Sequence, residues 1–109
     1  MSVEYTIKNM GYQIRQAENG QDALDKIAEI RKAGDDIALC ICDINMPVMD
    51  GITFIREFRK IDKFTPVLVL TTESENEKVN AGREAGASGW IIKPFQPAEL
   101  LKIVEKFIR

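Results

Sequence analysis

The chain has 109 residues, of which 45% are hydrophobic and 29% are charged, and its formal net charge is -2 at pH 7. This length and composition predict one soluble domain, and the charge gives no basic surface of the kind that binds nucleic acid. No apolar run approaches the roughly 18 residues of a membrane helix, and the N-terminus has no secretory pattern. We therefore expect a cytoplasmic protein with no membrane or nucleic-acid partner. The lack of histidine excludes a Ser-His-Asp triad and a His-liganded zinc site.

Helical and strand patterns alternate along the chain. A short apolar stripe at 2–10 predicts the end of a helix, and an alternating pattern at 12–17 predicts a strand. Further strands are predicted at 37–42, 67–70 and 89–92, and further helices at 21–32, 52–60, 74–85 and 97–108. Because helices separate the strands, the strands should be parallel. The sequence thus predicts an α/β fold with about four strands and four to five helices.

Local signals support some of these boundaries. Ser74, followed three residues later by Glu77, predicts a capping box at the start of a helix. Pro97 suits the first turn of the last helix. Cys40 and Cys42 lie two residues apart in one predicted strand, so they point to the same face. We interpret them as small buried hydrophobic residues rather than metal ligands.

Three apolar strands lead into polar side chains. Asp43 follows the first of them, Thr71 the second and Lys93 the third. Since parallel strands end at one edge of a sheet, an acid, a hydroxyl and an ammonium should meet there. Each residue alone has an ordinary interpretation, as a turn aspartate, a strand-end hydroxyl or a surface lysine. Together they supply the parts needed to hold a phosphoryl group.

Four ordered motifs point to one family. They are Asp43 with Asn45-Met46-Pro47, then Asp50-Gly51, then Thr71, then the run from Trp90 to Phe95 that contains Lys93-Pro94. This pattern resembles the receiver domain of two-component response regulators, most closely the single-domain CheY-like kind, over nearly the whole chain. The resemblance implies a flavodoxin-like α/β fold, a parallel sheet with helices on both faces, in a single domain over 1–109.

The resemblance also implies roles for the strand-end residues. Asp43 matches the phosphoacceptor, whose carboxylate attacks phosphohistidine on a sensor histidine kinase or phosphotransfer protein. Lys93 matches the lysine that pairs with the phosphoryl oxygens, and its peptide bond to Pro94 is cis in the family. Such a domain catalyses at most its own phosphoryl transfer and dephosphorylation, and we do not expect another enzyme activity.

A switch and a metal site follow from the same resemblance. Thr71 matches the hydroxyl that turns toward the phosphoryl group, and Trp90 matches the aromatic residue that follows it inward, which signals to a downstream protein target. The family usually has tyrosine or phenylalanine at that position, and an ordinary half-buried strand aromatic is the alternative interpretation of Trp90. Asp43 and the main-chain carbonyl of Asn45 match ligands of Mg²⁺.

One part of the family pattern is not found. The family begins with a buried strand that ends in two acidic residues, whereas Met1 aligns inside the first helix. We therefore expect the first strand and the start of the first helix to be missing, the Mg²⁺ site to be weak or absent, and phosphorylation to be slow or undetectable. Glu18 is the nearest candidate for a substitute ligand. Unpaired strand edges would favour a homo-oligomer or a strand-swapped dimer.

Other functions compete with this interpretation. An interaction-only pseudo-receiver that is never phosphorylated is the main alternative. A phosphohydrolase with an aspartate nucleophile generally needs a second aspartate two residues further on, and Asn45 stands there. A flavodoxin-like nucleotide binder would need a glycine-rich phosphate loop, which this sequence lacks.

Overall fold

The computed structural model describes residues 11–44, 49–72 and 76–108, with the side chain of Asn76 left out. In this part of the chain, helices and strands follow one another in the order α1 (Gly20–Lys32), β1 (Cys40–Cys42), α2 (Gly51–Ile61), β2 (Val67–Thr71), α3 (Asn76–Ala85), β3 (Gly89–Ile92) and α4 (Pro97–Ile108). The helix end predicted at 2–10 and the cap predicted at Ser74 lie outside the described residues. None of the described helices is long and apolar enough to cross a membrane.

The three strands form a parallel sheet in the order β1-β2-β3. Cys42 pairs with Val69 between β1 and β2, and Thr71 pairs with Ile92 between β2 and β3. The helices between the strands carry the chain back to the opposite edge, as the alternating pattern predicts. The carboxyl ends of all three strands therefore lie along one edge of the sheet.

Apolar cores cover both faces of the sheet. On one face, side chains of β1 and β2 pack with residues of α1, α2 and α3, including the buried pair Phe54 and Phe58. On the other face, Leu68 and Leu70 of β2 pack against α4. All five residues of β2 are buried. Burial on both faces explains why the sequence of this strand is a nearly continuous run of apolar residues.

The strand predicted at 12–17 is not present. Tyr12 and Ile14 are half-buried against the core on the α4 face, and Gln13 and Arg15 are exposed, so the burial alternates over 12–15, whereas Gln16 and Ala17 are both exposed. A strand also needs a neighbour that pairs with its backbone N–H and C=O groups, and an alternating pattern contains no information about such a neighbour. The described sheet therefore has three strands rather than the expected four.

The two cysteines behave as small hydrophobic residues. Cys42 is 8% exposed, and Cys40 packs against the same core. Burial raises the pKa of the Cys40 thiol to about 12. The pKa of Cys42 is raised by burial first, and then by the neighbouring Cys40 and Asp43. Both thiols are therefore protonated in the folded protein, and a protonated thiol is a poor nucleophile.

We expect the folded protein to resist alkylation at both cysteines. Iodoacetamide at mildly alkaline pH should modify neither thiol over the time in which it modifies both in urea, because only unfolding lowers the two pKa values. Intact mass spectrometry counts the added groups. Equal rates of modification with and without urea would contradict the burial of these side chains.

Candidate functional site

The carboxyl edge of the sheet brings together the polar residues that follow the strands. The Nζ atom of Lys93 lies 3.4 Å from Oδ2 of Asp43. The backbone N–H of Lys93 donates a hydrogen bond of 2.7 Å to the carbonyl oxygen of Thr71. An acid and an ammonium, predicted to meet from their positions after two different strands, are thus in contact, and the backbone joins Thr71 to the same site.

The contact between Asp43 and Lys93 is open to water. Their side chains are 36% and 38% exposed. Ion pairs at this degree of exposure contribute only about 0–1 kcal/mol, because water screens the attraction and two side chains must be held in place. An incoming anion can therefore take Lys93 away from Asp43 at little cost. Thr71, by contrast, is fully buried.

The start of α2 lies close to the backbone of Asp43 at Gly51. The backbone N–H of Gly51 donates to the carbonyl oxygen of Ile44 over 2.9 Å. A Cβ atom on Gly51 would lie 2.2 Å from the carbonyl oxygen of Asp43 and 2.8 Å from the Cα atom of Ile44. Asp50 caps the helix, because its side chain accepts a hydrogen bond from the N–H of Thr53. The start of α2 thus lies directly against the backbone that carries Asp43.

In the sequence, Gly51 stands out only as part of the Asp50-Gly51 motif. An aspartate just before an apolar helical stripe predicts a helix cap, and the glycine that follows it indicates a close approach at the start of the helix. The contact with the backbone of Asp43 is visible only in three dimensions.

Trp90 lies on the face of the sheet that also carries Thr71. Its Cα pairs with Val69, two residues before Thr71 on β2, and its side chain packs against the core under α3. Alternate residues of a strand share a face, so Trp90 and Thr71 point to the same side.

The peptide bond between Lys93 and Pro94 is cis, as the resemblance implies.

Of the predicted magnesium ligands, the described residues include Asp43. Within 11–44, 49–72 and 76–108, no group of three or more His, Cys, Asp or Glu residues is placed to hold a metal ion. Asn45 lies outside the described residues. Glu18 is exposed, and its N–H donates to the carboxylate of Asp22. Mg²⁺ usually takes one or two carboxylates with waters and phosphate oxygens. Asp43 supplies a carboxylate of this kind.

A family model described as "Response regulator receiver domain" matches residues 1–105. The chain belongs to the response regulator receiver domain family. Among curated proteins, this receiver is similar to the transcriptional regulatory protein PrrA of Mycobacterium leprae and of Mycobacterium tuberculosis. It is 38% identical to each over 108 residues, which is 99% of this chain and 44% of the relative. The receiver spans less than half the length of these relatives.

Solved structures agree with this membership. The chemotaxis response regulator CheY4 of Vibrio cholerae is 40% identical, with a TM-score of 0.83 and coverage of 96% of this receiver and 85% of that chain. The receiver domain of the sensor histidine kinase PA1611 from Pseudomonas aeruginosa is 25% identical, with a TM-score of 0.84 and coverage of 97% and 84%. That structure has a magnesium ion coordinated in the active site cleft. The flavodoxin-like, CheY-like fold predicted for the chain is confirmed.

The names of the curated relatives bear on one expectation. PrrA is a transcriptional regulatory protein, so the absence of a nucleic-acid partner, expected from the low charge of this chain, is not confirmed by its relatives. The assignment of 1–109 to a single domain likewise stays a prediction.

Proposed function

We propose that this receiver accepts a phosphoryl group at Asp43 from phosphohistidine on a sensor histidine kinase or a phosphotransfer protein, and passes the signal to a downstream protein target. The observation that carries the proposal is the contact of 3.4 Å between Asp43 and Lys93 at the carboxyl edge of a parallel sheet. A carboxylate oxygen of Asp43 forms a bond to phosphorus while the P–N bond of the donor breaks. The electron pair of that bond stays on the imidazole nitrogen, which is then protonated.

Lys93 supplies the positive charge for this transfer. Its ion pair with Asp43 is half-exposed and therefore weak, so its ammonium group can exchange the carboxylate for the oxygens of the phosphoryl group. A charged hydrogen bond to a phosphoryl oxygen is about twice as strong as a neutral one. Lys93 would thus hold the transferred group next to the oxygen that attacks it.

Thr71 and Trp90 would report the modification. The hydroxyl of Thr71 would bond to a phosphoryl oxygen, and Trp90, on the same face of the sheet, would follow it inward. A charge added at Asp43 would then bias two arrangements of the surface formed by β2, β3 and α3. A downstream protein target would read that surface.

Magnesium would bind weakly at this site. Bound Mg²⁺ neutralises phosphoryl charge in sites of this chemistry. Asp43 is the carboxylate that the described residues offer, and the main-chain carbonyl of Asn45 is the other ligand that the family resemblance suggests. We therefore propose a weak site and slow phosphorylation.

Replacing Asp43 with asparagine should abolish the gain of a phosphoryl group. Acetyl phosphate with Mg²⁺ should add one phosphoryl mass to the unaltered chain, slowly and incompletely, and none to Asp43→Asn. Asp50→Asn is the matched control, because asparagine caps a helix as well as aspartate does and Asp50 is not the proposed acceptor. Intact mass spectrometry measures the gain. Modification of Asp43→Asn, or rapid and complete modification of the unaltered chain, would refute the proposal of a slow acceptor at Asp43.

An interaction-only pseudo-receiver is the second candidate. The observation in its favour is that the described residues place no cluster of acids at Asp43. Beryllofluoride with Mg²⁺ separates the two functions, since it mimics a phosphoryl group on a carboxylate. A change in Trp90 fluorescence supports the working switch, and an unchanged spectrum supports the pseudo-receiver.

A further inference from the structure

A buried glycine lies inside α3, where glycine is a poor choice. Gly82 is buried in the last turn of the helix Asn76–Ala85, and its carbonyl oxygen accepts hydrogen bonds from the N–H groups of Gly86 and Ala87. Glycine is the weakest helix former after proline, so a glycine within a helix often has a packing reason. The reason here is the indole ring of Trp90. A Cβ atom on Gly82 would lie 2.4 Å from Cζ3 of Trp90, 3.3 Å from Cε3 and 3.4 Å from Cη2.

These three atoms belong to the six-membered ring of the indole. Its edge therefore rests on the backbone of α3, at a distance that only glycine permits. The indole is rigid, so it cannot yield by bending, as a methionine side chain would. An added Cβ would force either the ring or the helix to move.

Free space lies beside the ring. A cavity of about 110 Å³ is lined by Trp90 together with residues of α3 and of the chain before β3, namely Val79, Arg83, Ala87, Ser88 and Gly89. The ring is thus packed tightly on its Gly82 side and loosely on another. The contact at Gly82 is therefore the close contact on one side of the ring, in addition to its packing against the core.

We propose that Gly82 is a positioning residue for the switch aromatic: it seats the indole of Trp90 against α3 and thereby sets where Trp90 lies relative to Thr71. The proposal rests on the proposed function in assigning the switch to Trp90. Trp90 and Thr71 share one face of the sheet, and α3 covers that face. The contact therefore joins α3 to the residues that would respond to a charge on Asp43.

The effect of Gly82→Ala on Tm distinguishes a contact with the indole from helix propensity alone. If helix propensity alone mattered, alanine would stabilise α3 and raise Tm. Because Gly82 seats the indole, we expect Gly82→Ala to lower Tm and to shift Trp90 emission to longer wavelength. Trp90 is the single tryptophan of the chain, so the emission reports on this ring alone.

Two controls separate the contact from the helix. Asn80→Ala, at an exposed position of α3, tests helix propensity without touching the ring. Trp90→Phe replaces the two fused rings of the indole by one shorter ring and so removes the outer ring that contacts Gly82. In that background, Gly82→Ala should raise Tm instead of lowering it. This reversal of sign is the expected signature of the coupling.

The proposal is overturned if Gly82→Ala raises Tm as Asn80→Ala does and leaves the emission unchanged. An equal fall of Tm in the Trp90→Phe background also overturns it, because the effect would then not pass through the indole. The phosphoryl gain at Asp43 is measured separately on the same variants. If no phosphoryl group is gained but the sign of the Tm change still reverses in the Trp90→Phe background, only the proposed function is refuted. If the phosphoryl group is gained but the sign does not reverse, only the role of Gly82 is refuted.

Discussion

Replacing Asp62 with alanine should lower the free energy of unfolding by about 3 kcal/mol, because several donors lose one shared acceptor. The Asp62 side chain is 8% exposed and follows the last residue of α2. Its Oδ1 accepts hydrogen bonds of 2.8 Å from the backbone N–H groups of Phe64 and Thr65. Its Oδ2 accepts from the hydroxyl of Thr65 and from the guanidinium of Arg31. Urea unfolding measures the loss.

The same carboxylate should make stability depend on pH. Burial alone would raise the pKa of Asp62, but the hydrogen bonds from Thr65, from the N–H of Phe64 and from Arg31 outweigh it and hold the pKa well below its usual range. Because the pKa is lower in the folded than in the unfolded protein, the stabilisation is fully present above the unfolded pKa. It is lost as the pH falls below that value toward the folded pKa.

A matched control is available on the same arginine. Asp36 pairs with Nε of Arg31 over 3.5 Å, but its side chain is 81% exposed. Asp36→Asn should therefore change the stability by less than about 1 kcal/mol, as exposed ion pairs do. The fall of Tm in acid should be flatter in Asp62→Asn than in Asp36→Asn. Equal losses in the two variants would contradict the role of Asp62.

Replacing Gly51 with alanine should destabilise the domain by about 3 kcal/mol and displace Asp43. The added Cβ would lie 2.2 Å from the carbonyl oxygen of Asp43, a distance that atoms of a folded protein do not adopt. Either the start of α2 must then move away from β1, or the backbone of Asp43 must itself be displaced. Urea unfolding measures the destabilisation, and the phosphoryl gain of the folded fraction measures the displacement.

Gly20 provides the comparison for this prediction. It is also the first residue of a helix, and a Cβ there would lie 2.9 Å from Cγ of Met49. A methionine side chain is flexible and can move aside, whereas the backbone of Asp43 cannot. Gly20→Ala should therefore cost much less than Gly51→Ala. Similar effects for the two substitutions would mean that the contact with Asp43 is not the reason for glycine at 51.

The sequence predicted the position of the site because parallel topology leaves little freedom. Apolar runs ending at Asp43, Thr71 and Lys93 imply buried strands, and helices between them imply one common edge. The contact between Asp43 and Lys93 follows from that edge. Residues 12–17 show the limit of this reasoning. Burial alternates over 12–15 as predicted, but these residues do not pair with a strand.

The contacts made by Asp62, Gly51 and Gly82 could not be predicted in the same way. Asp62 resembles any turn aspartate until the fold brings Arg31 to it from another helix. Gly82 is marked only by its poor helix propensity, and the indole that explains it comes from β3. Such contacts depend on tertiary packing, which local propensity and periodicity do not specify.

Phosphoryl transfer from a phosphohistidine protein tests the role of Asp43 most directly. The receiver is mixed with a phosphorylated phosphotransfer domain and Mg²⁺, and mass spectrometry of its peptides locates the transferred group. We expect the unaltered receiver to gain one phosphoryl group slowly, on the peptide that carries Asp43. The Asp50→Asn variant should gain it too, and the Asp43→Asn variant should not. A phosphoryl group on another residue, or none on Asp43 after prolonged mixing with an active donor, would contradict the assignment of Asp43 as the phosphoacceptor.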